Sequence, residues 1–353
     1  MSIRAKIALT TAAVMATSIF LSGCGLFGKE KESLDPPKEV SYLKEGEALD
    51  ASPDAETAAE EKKDVVMRDI YLIDKNGFVV AQSLPLPQTE SVAKQALSYL
   101  VTDGPVADIL PNGFRTVLPA GTELDVDVHE GKATVDFSEE FTTYDPKDEK
   151  RILQAVTWTL TQFDSIDKVE LRVNGYPLTE MPANGTPISN EGLSRADGIN
   201  TEFTNVADIT NTRPVTVYYL TQIGEDFNYV PVTRRVSNTV KDDVVAVINE
   251  LVEGPGMLTA LVTGLVDEVK LVEDPKIEDH VVTLNFNEAI LGNSENKVIS
   301  DETLRSLVLS LTEQTGIESV KVMVNGSSEV VNEKGEALTE PVTRPEKVNS
   351  GRF

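Results

Sequence analysis

Two stretches of this chain align with each other without a gap. Residues 151–175 and 302–326 share 8 of 25 positions: Leu153/Leu304, Leu160/Leu311, Thr161/Thr312, Ile166/Ile317, Val169/Val320, Val173/Val324, Asn174/Asn325 and Gly175/Gly326. Unrelated segments of that length would share roughly two. Three further pairs recur in the same order at a spacing near 150 residues. Asp69–Ile73 resembles Val217–Leu220. Tyr99–Pro105, closing on Asp-Gly-Pro, resembles Asn249–Pro255, closing on Glu-Gly-Pro. Thr134–Glu139 resembles Thr283–Glu288. A period this long means a duplicated domain, not a solenoid of short units.

Both copies carry the same pattern of elements. A strand (Ile70–Ile73; Val215–Leu220) precedes a second one (Phe78–Gln82; Phe227–Val232). A helix follows, with Val92, Ala96, Leu97 and Leu100 on one face, or Val244, Val245, Ile248 and Leu251. Gly104-Pro105 and Gly254-Pro255 are expected to stop these helices. Leu124, Val126 and Val128 alternate, Glu130-Gly131 turns the chain, and Ala133, Val135 and Phe137 alternate back as a hairpin. A second helix carries Ile152, Leu153, Val156 and Leu160, or Leu304, Leu307, Val308 and Leu311. The last strand ends at Asn174-Gly175, a turn signal. The order β-β-α-β-β-α-β predicts an α+β fold: two duplicated two-layer α/β sandwich domains, each with helices on one face of a small mixed sheet. The expected boundaries are 65–188 and 214–343. Residues 189–213, rich in Gly, Asn, Ser and Thr, read as a linker, part of which can pack on a domain, and 344–353 as a loose tail.

The N-terminus carries a separate message. Arg4 and Lys6 precede an uncharged run from Ile7 to Leu21. That run is too short for a membrane-spanning helix, which needs about 20 apolar residues, and fits a signal-peptide core. Leu21-Ser22-Gly23-Cys24 then forms a lipobox, with cleavage expected between Gly23 and Cys24. Cys24 is the one cysteine in the chain, so no disulfide framework is possible. A diacylglyceryl group on Cys24, with or without an N-acyl chain such as palmitate, supplies the two or more acyl chains that stable anchoring needs. Residues 1–23 are therefore expected to be removed, and residues 24–64 read as a lipidated, flexible acidic tether too poor in apolar residues to fold. The chain is expected to be exported and held on the outer face of the cell membrane. Its net charge of −26 becomes −28 once Arg4 and Lys6 are lost. Such a surface repels phosphate backbones, so no nucleic-acid partner is expected.

Chemistry is sparse. His129 and His280 are the two histidines; they read as turn residues or, less simply, as a duplicated site. Glu139, Glu140 and Glu288 follow strand ends, where Ser138 and Asn287 suit capping of a short turn with acids at its positive end. A glycosidase would instead need two carboxylates on separate elements. Asp125, Asp127 and Glu130 lack the spacing of a calcium loop and read as the solvated face of an edge strand. Tyr71, Tyr219, Phe137 and Phe286 read as core. Trp158, where the second copy has Leu309, reads as half-exposed and open to an interface role. No catalytic, metal or cofactor-binding residues are assigned.

The tandem repeat, its DGP and EGP helix ends, its TVDFSEEF-type strand end and its VNG-terminated last strand resemble the GerMN domain. Behind a lipobox and acidic tether, that order resembles the sporulation and germination lipoproteins of endospore-forming bacilli. GerMN domains are similar to the ring-building motif of ring-forming secretion proteins and spore channel components. The resemblance implies no enzymatic activity. It implies protein partners in an envelope complex between mother cell and forespore, with the chain on the mother-cell membrane facing the intermembrane space. It leaves open a homo-oligomer or ring. The alternative is a peptidoglycan- or cortex-associated enzyme or binding lipoprotein acting in germination. The copies diverge around residues 256–280, so they need not use the same interfaces.

Overall fold

A computed structural model of the protein describes residues 65–202, 209–224 and 226–350. The lipobox around Cys24 and the tether lie outside the described residues.

The first copy opens with a long antiparallel hairpin, β1 (Val65–Asp74) and β2 (Val79–Pro87). Then come α1 (Val92–Ser98), the short β3 (Phe114–Arg115), and the hairpin β4 (Leu124–His129) and β5 (Lys132–Phe137). Next are α2 (Glu149–Leu160), β6 (Lys168–Val173) and β7 (Tyr176–Pro177). The second copy repeats the plan with β8 (Thr212–Ile223), β9 (Asp226–Ser237), α3 (Asp243–Glu253), β10 (Lys276–Glu278) and β11 (Val281–Phe286). It closes with α4 (Asp301–Leu311), β12 (Ser319–Val324) and β13 (Val342–Thr343).

The α+β class and the duplication are as the sequence predicts. The single sheet expected in each copy is instead two. One is the long hairpin: β2-β1-β3 in the first copy, β8-β9 in the second. The other is a four-stranded mixed sheet, β4-β5-β6-β7 or β10-β11-β12-β13, in which β5 and β6 (or β11 and β12) run parallel. The second helix of each copy explains the split. Ala155–Leu160 and Ser306–Leu311 are buried in unbroken succession. A helix buried on all sides needs partners on more than one face, and α2 contacts both β1 and β6. Its hydroxyls serve the hairpin: Tyr71 N–H donates to Thr159 Oγ1 (3.2 Å), and Tyr218 N–H donates to Ser310 Oγ (2.8 Å). These matching bonds make Tyr218, not Tyr219, the structural counterpart of Tyr71.

The tight turns fall where expected. Glu130-Gly131, Asn174-Gly175 and Asn325-Gly326 all have positive φ, the geometry of a two-residue hairpin turn. The helix stops differ between copies. Gly254, at φ 77°, follows the last residue of α3, a positive φ that glycine adopts without steric cost. In the first copy α1 ends at Ser98, ahead of Gly104, because Leu100 O accepts the N–H groups of Val117 and Leu118 and the last turn opens into this pairing. Gly104 is extended there, and a Cβ on it would lie 2.4 Å from Ser98 O.

Residues 344–350 are not a loose tail: Val348 and Asn349 are buried. Residues 189–202 are likewise packed, with Leu193 and Ile199 in the core. The stretches Glu191–Asn200 and Glu340–Asn349 turn out to be equivalent. Both place Glu, Arg and Asn at the same spacing (Glu191/Glu340, Arg195/Arg344, Asn200/Asn349). Leu193 bridges to Val169 of β6 as Val342 does to Val320 of β12. Each copy therefore ends in a closing segment whose polar composition hides it from an apolar-periodicity reading.

Candidate functional site

The closing segments build a reciprocal seam between the copies. Asn200 Oδ1 accepts Val79 N–H (2.8 Å), while its Nδ2 donates to Val79 O (2.7 Å) and Pro231 O (2.8 Å). Asn349 Oδ1 accepts Tyr229 N–H (2.7 Å), while its Nδ2 donates to Tyr229 O (3.0 Å) and Ala81 O (2.8 Å). The register Tyr71↔Ala81 and Tyr218↔Pro231 makes Ala81 equivalent to Pro231, and Val79 to Tyr229. The two asparagines thus make the same bonds with the copies exchanged, as in an isologous dimer interface. Flanking contacts follow suit. Ile199 N–H donates to Thr233 Oγ1 (2.9 Å) and Val348 N–H to Ser83 Oγ (3.0 Å). Each copy's end lies along the other copy's hairpin. The side-chain amides satisfy backbone groups of β2 and β9 that a neighbouring strand would otherwise have to pair.

The two arginines close the seam at its side, where symmetry fails. Arg195 lies 4.4 Å from the Trp158 ring centroid and donates Nε to Thr161 Oγ1 (3.0 Å). Arg344 stands over Tyr218 (5.3 Å) and donates to Thr312 Oγ1 (3.1 Å), Leu309 O (3.1 Å) and Tyr218 Oη (2.8 Å). Both pair with Glu313 of the second copy. The equivalent residue of the first copy, Gln162, is neutral and instead pairs with the backbone of Asp69. Burial alone would raise the Glu313 carboxyl, but the two guanidinium groups outweigh it and hold the pKa below the ordinary carboxylate range. Removing either arginine would leave this charge short of a partner in a dry setting, which is costly.

A second buried cluster pins the base of one loop. Arg234 Nη1 donates to Gly254 O (2.7 Å) and Tyr219 Oη (2.9 Å) and lies 3.1 Å from Glu250. Glu202 and Glu253 stand 3.9 and 3.6 Å from the same guanidinium. Burial pushes the Glu250 carboxyl up to about 7; Arg234 pulls it down, and Glu253 and Glu202 add to the rise.

A cleft of about 790 Å³ opens beside the seam, lined by Phe78, Gln154, Asn200 and Thr259 among others. Its buried acid, Glu149, is already engaged. It accepts from Tyr144 Oη (2.8 Å), Asn184 N–H (2.8 Å) and Thr186 Oγ1 (2.6 Å), and so ties the segment after β7 to the start of α2.

The residues singled out from sequence are scattered. His129 ends β4 on the surface. His280 is not its counterpart. The His280 carbonyl accepts Glu318 and Ser319 N–H, whereas in the first copy the Gly131 carbonyl accepts Asp167 and Lys168 N–H. Glu139, Glu140 and Glu288 are exposed, on turns of different copies. Ser138 and Asn287 stand at the N-cap positions of these turns but do not cap them. Ser138 Oγ accepts Glu123 N–H, and Asn287 Oδ1 accepts Lys270 N–H, so both side chains bind the chain alongside. Asp125 lies on the edge strand β4, paired with Lys94 (3.0 Å). Tyr71, Tyr219, Phe137 and Phe286 are core. Trp158 is fully buried rather than half-exposed, because Tyr71 packs on it (5.7 Å) and Arg195 covers it.

Residues 69–179 and 216–330 match the Germane family, described as sporulation and spore germination. The spore germination protein GerM of Bacillus subtilis (strain 168) is 53% identical over 361 residues, covering 98% of this chain and 98% of that protein. A shorter likeness, 32% identical over 102 residues, joins 28% of this chain to 16% of the lipoprotein LpqB of Thermobifida fusca (strain YX). Among solved structures, the tandem GerMN domains of the sporulation protein GerM from Bacillus subtilis match with a TM-score of 0.77 at 58% identity. That match covers 82% of this chain and 100% of that one. The closing segments 191–200 and 340–349 lie outside the two family-matched ranges.

Proposed function

Because this chain belongs to the Germane family and carries its domain twice, we propose that it is a non-enzymatic, lipid-anchored docking protein of sporulation and germination. Cys24 carries the lipid and holds the chain on the outer face of the mother-cell membrane, facing the intermembrane space. The two domains hold protein partners of the envelope complex that joins mother cell and forespore.

The observation that carries this reading is the reciprocal seam. It joins two copies of one module into a single body through buried amides and ion pairs, and so fixes the relative placement of two related outer surfaces. A rigid pair of surfaces suits an assembly role, since ordering is largely complete before a partner arrives. An isologous seam also closes on itself. If the chain joins a ring, the contacts to its neighbours lie elsewhere than on the β2 and β9 flanks.

Crosslinking and pull-down of the full chain from sporulating Bacillus subtilis cells tests the reading. Envelope-complex proteins are expected in the eluate, and Cys24→Ala is expected to release the chain from the membrane fraction while both domains stay folded. Recovery of no envelope protein would sink the proposal. Retention of the Cys24→Ala chain after high-salt washing would refute the lipid as the anchor.

A further inference from the structure

We propose that the loop Gly254–Val266 of the second copy is a docking knob, with Met257 and Leu258 at its tip. Its partner is a protein that offers an apolar pocket rimmed by basic side chains. The inference rests on the docking reading above and names the surface and the partner's chemistry.

Of the ten large apolar side chains exposed among the described residues, six lie between Met257 and Ile277. Met257 and Leu258 are completely exposed, at 101% and 102% of their reference areas. The counterpart loop of the first copy turns its apolar residues inward, with Val106, Phe114 and Leu118 in the core. Leu261 and Leu265 are buried at the matching places of the second copy, so the copies differ at the tip: the first half-buries Ile109 and Leu110 against its core where the second displays Met257 and Leu258. The thirteen residues from Gly254 to Val266 include no charge, in a chain of net charge −26.

The knob is held rather than loose. Arg234 donates to Gly254 O at its start, and Gly256 N–H donates to Glu202 (3.3 Å). Val262 pairs with Leu220 of β8, Thr263 Oγ1 donates to Leu251 O (2.6 Å), and Thr303 Oγ1 donates to Gly264 O (2.7 Å). Leu261, Leu265 and Val269 fill the core beneath, while Leu258, Val262 and Val266 face out. Apolar anchors presented on a fixed frame are the kind that dominate binding energy, because little ordering remains to be done.

Charge selects the occupant. Glu253, Asp267 and Glu268 flank the uncharged run and are exposed. Acidic flanks around an apolar centre are complementary to a pocket with a basic rim. An anionic lipid surface, or a second copy of this acidic chain, would be repelled by the same flanks.

The test is site-specific photocrosslinking in the full chain, expressed in sporulating Bacillus subtilis cells lacking their own GerM. A photoreactive amino acid replaces Met257 or Leu258 in turn, and exposed Tyr176 in the first copy as a second position. Both knob positions should capture the same protein, at residues lining an apolar, basic-rimmed surface. Leu258→Asp should cut the yield from position 257 at least tenfold with unchanged circular dichroism. Capture of lipid alone, capture of another copy of this chain, or a yield insensitive to Leu258→Asp would overturn the proposal. Capture of an envelope protein from position 176 but not from 257 or 258 would overturn it while leaving the docking function intact. Capture from none of the three positions would count against both.

Discussion

Replacing Asn349 by alanine isolates one half of the seam. The side chain is buried at 4% exposure, and three backbone groups depend on it. Tyr229 N–H loses its acceptor outright. Ala81 O keeps the Gln82 Nε2 donor (3.0 Å) but loses the shorter bond, and Tyr229 O loses one donor. An orphaned buried donor costs about 1–3 kcal/mol, and each of the two weakened carbonyls about 0.5–1.5 kcal/mol, so the loss sums to roughly 2–6 kcal/mol. A domain pair of ordinary stability, about 5–15 kcal/mol, should register this clearly. Guanidinium unfolding of the chain from residue 25 onward, followed by circular dichroism, measures it. Asn200→Ala should cost a similar amount, because its bonds are the same with the copies exchanged. Asn349→Asp should not rescue, since a carboxylate cannot donate to Ala81 O and Tyr229 O. Losses below about 0.5 kcal/mol for both alanine variants, the level of an ordinary surface change, would refute the claim that these amides hold the copies together.

Three further outcomes follow from the buried charges. Glu250, pushed up to about 7 by burial, holds a proton in the fold that it loses near 4.5 when unfolded; its contribution is full below the unfolded value and is lost as pH rises through about 7. Unfolding midpoints of the native chain should therefore fall between pH 5 and 8 more steeply than those of Glu250→Gln. Arg344→Ala should cost about 1–3 kcal/mol, since Glu313 is left with Arg195 as its one guanidinium and Leu309 O and Thr312 lose a donor, and Arg344→Lys should recover only part, because an ammonium cannot serve Leu309 O, Thr312 and Tyr218 in one planar fork. Trp158, the one tryptophan of the chain, reports on the seam. Arg195→Ala uncovers its ring and should shift its emission to the red, whereas Lys321→Ala on the far sheet should leave the spectrum unchanged.

The duplicated core was legible because burial imposes a period. Leu153, Val156 and Leu160 return every turn of a helix, Ala133, Val135 and Phe137 alternate along a strand, and both patterns recur in the second copy. The division of each sheet in two was not. Runs such as Ile70–Ile73 are buried on both faces, and a continuous apolar run carries no sign of which layer lies on which side. The seam was hidden for a different reason. Its residues are Arg195, Asn200, Arg344 and Asn349, set among Gly, Pro and charged residues where apolar periodicity is silent. The signal that reaches them is the repeat itself: carried past Gly175 and Gly326, it returns Glu, Arg and Asn at matching positions in 191–200 and 340–349. Trp158 was misread because a lone large residue opposite Leu309 gives no hint of the guanidinium that covers it.

The claim that the two copies form one welded body is tested most directly by a distance between them. The chain from residue 25 onward has no cysteine, so Lys94→Cys and Lys334→Cys can be spin-labelled as a pair, one label on each copy. Pulsed electron resonance should give one narrow distance distribution, and Asn200→Ala with Asn349→Ala should broaden it. A broad or two-peaked distribution in the otherwise native chain would contradict the weld and, with it, the fixed pair of surfaces on which the docking role depends.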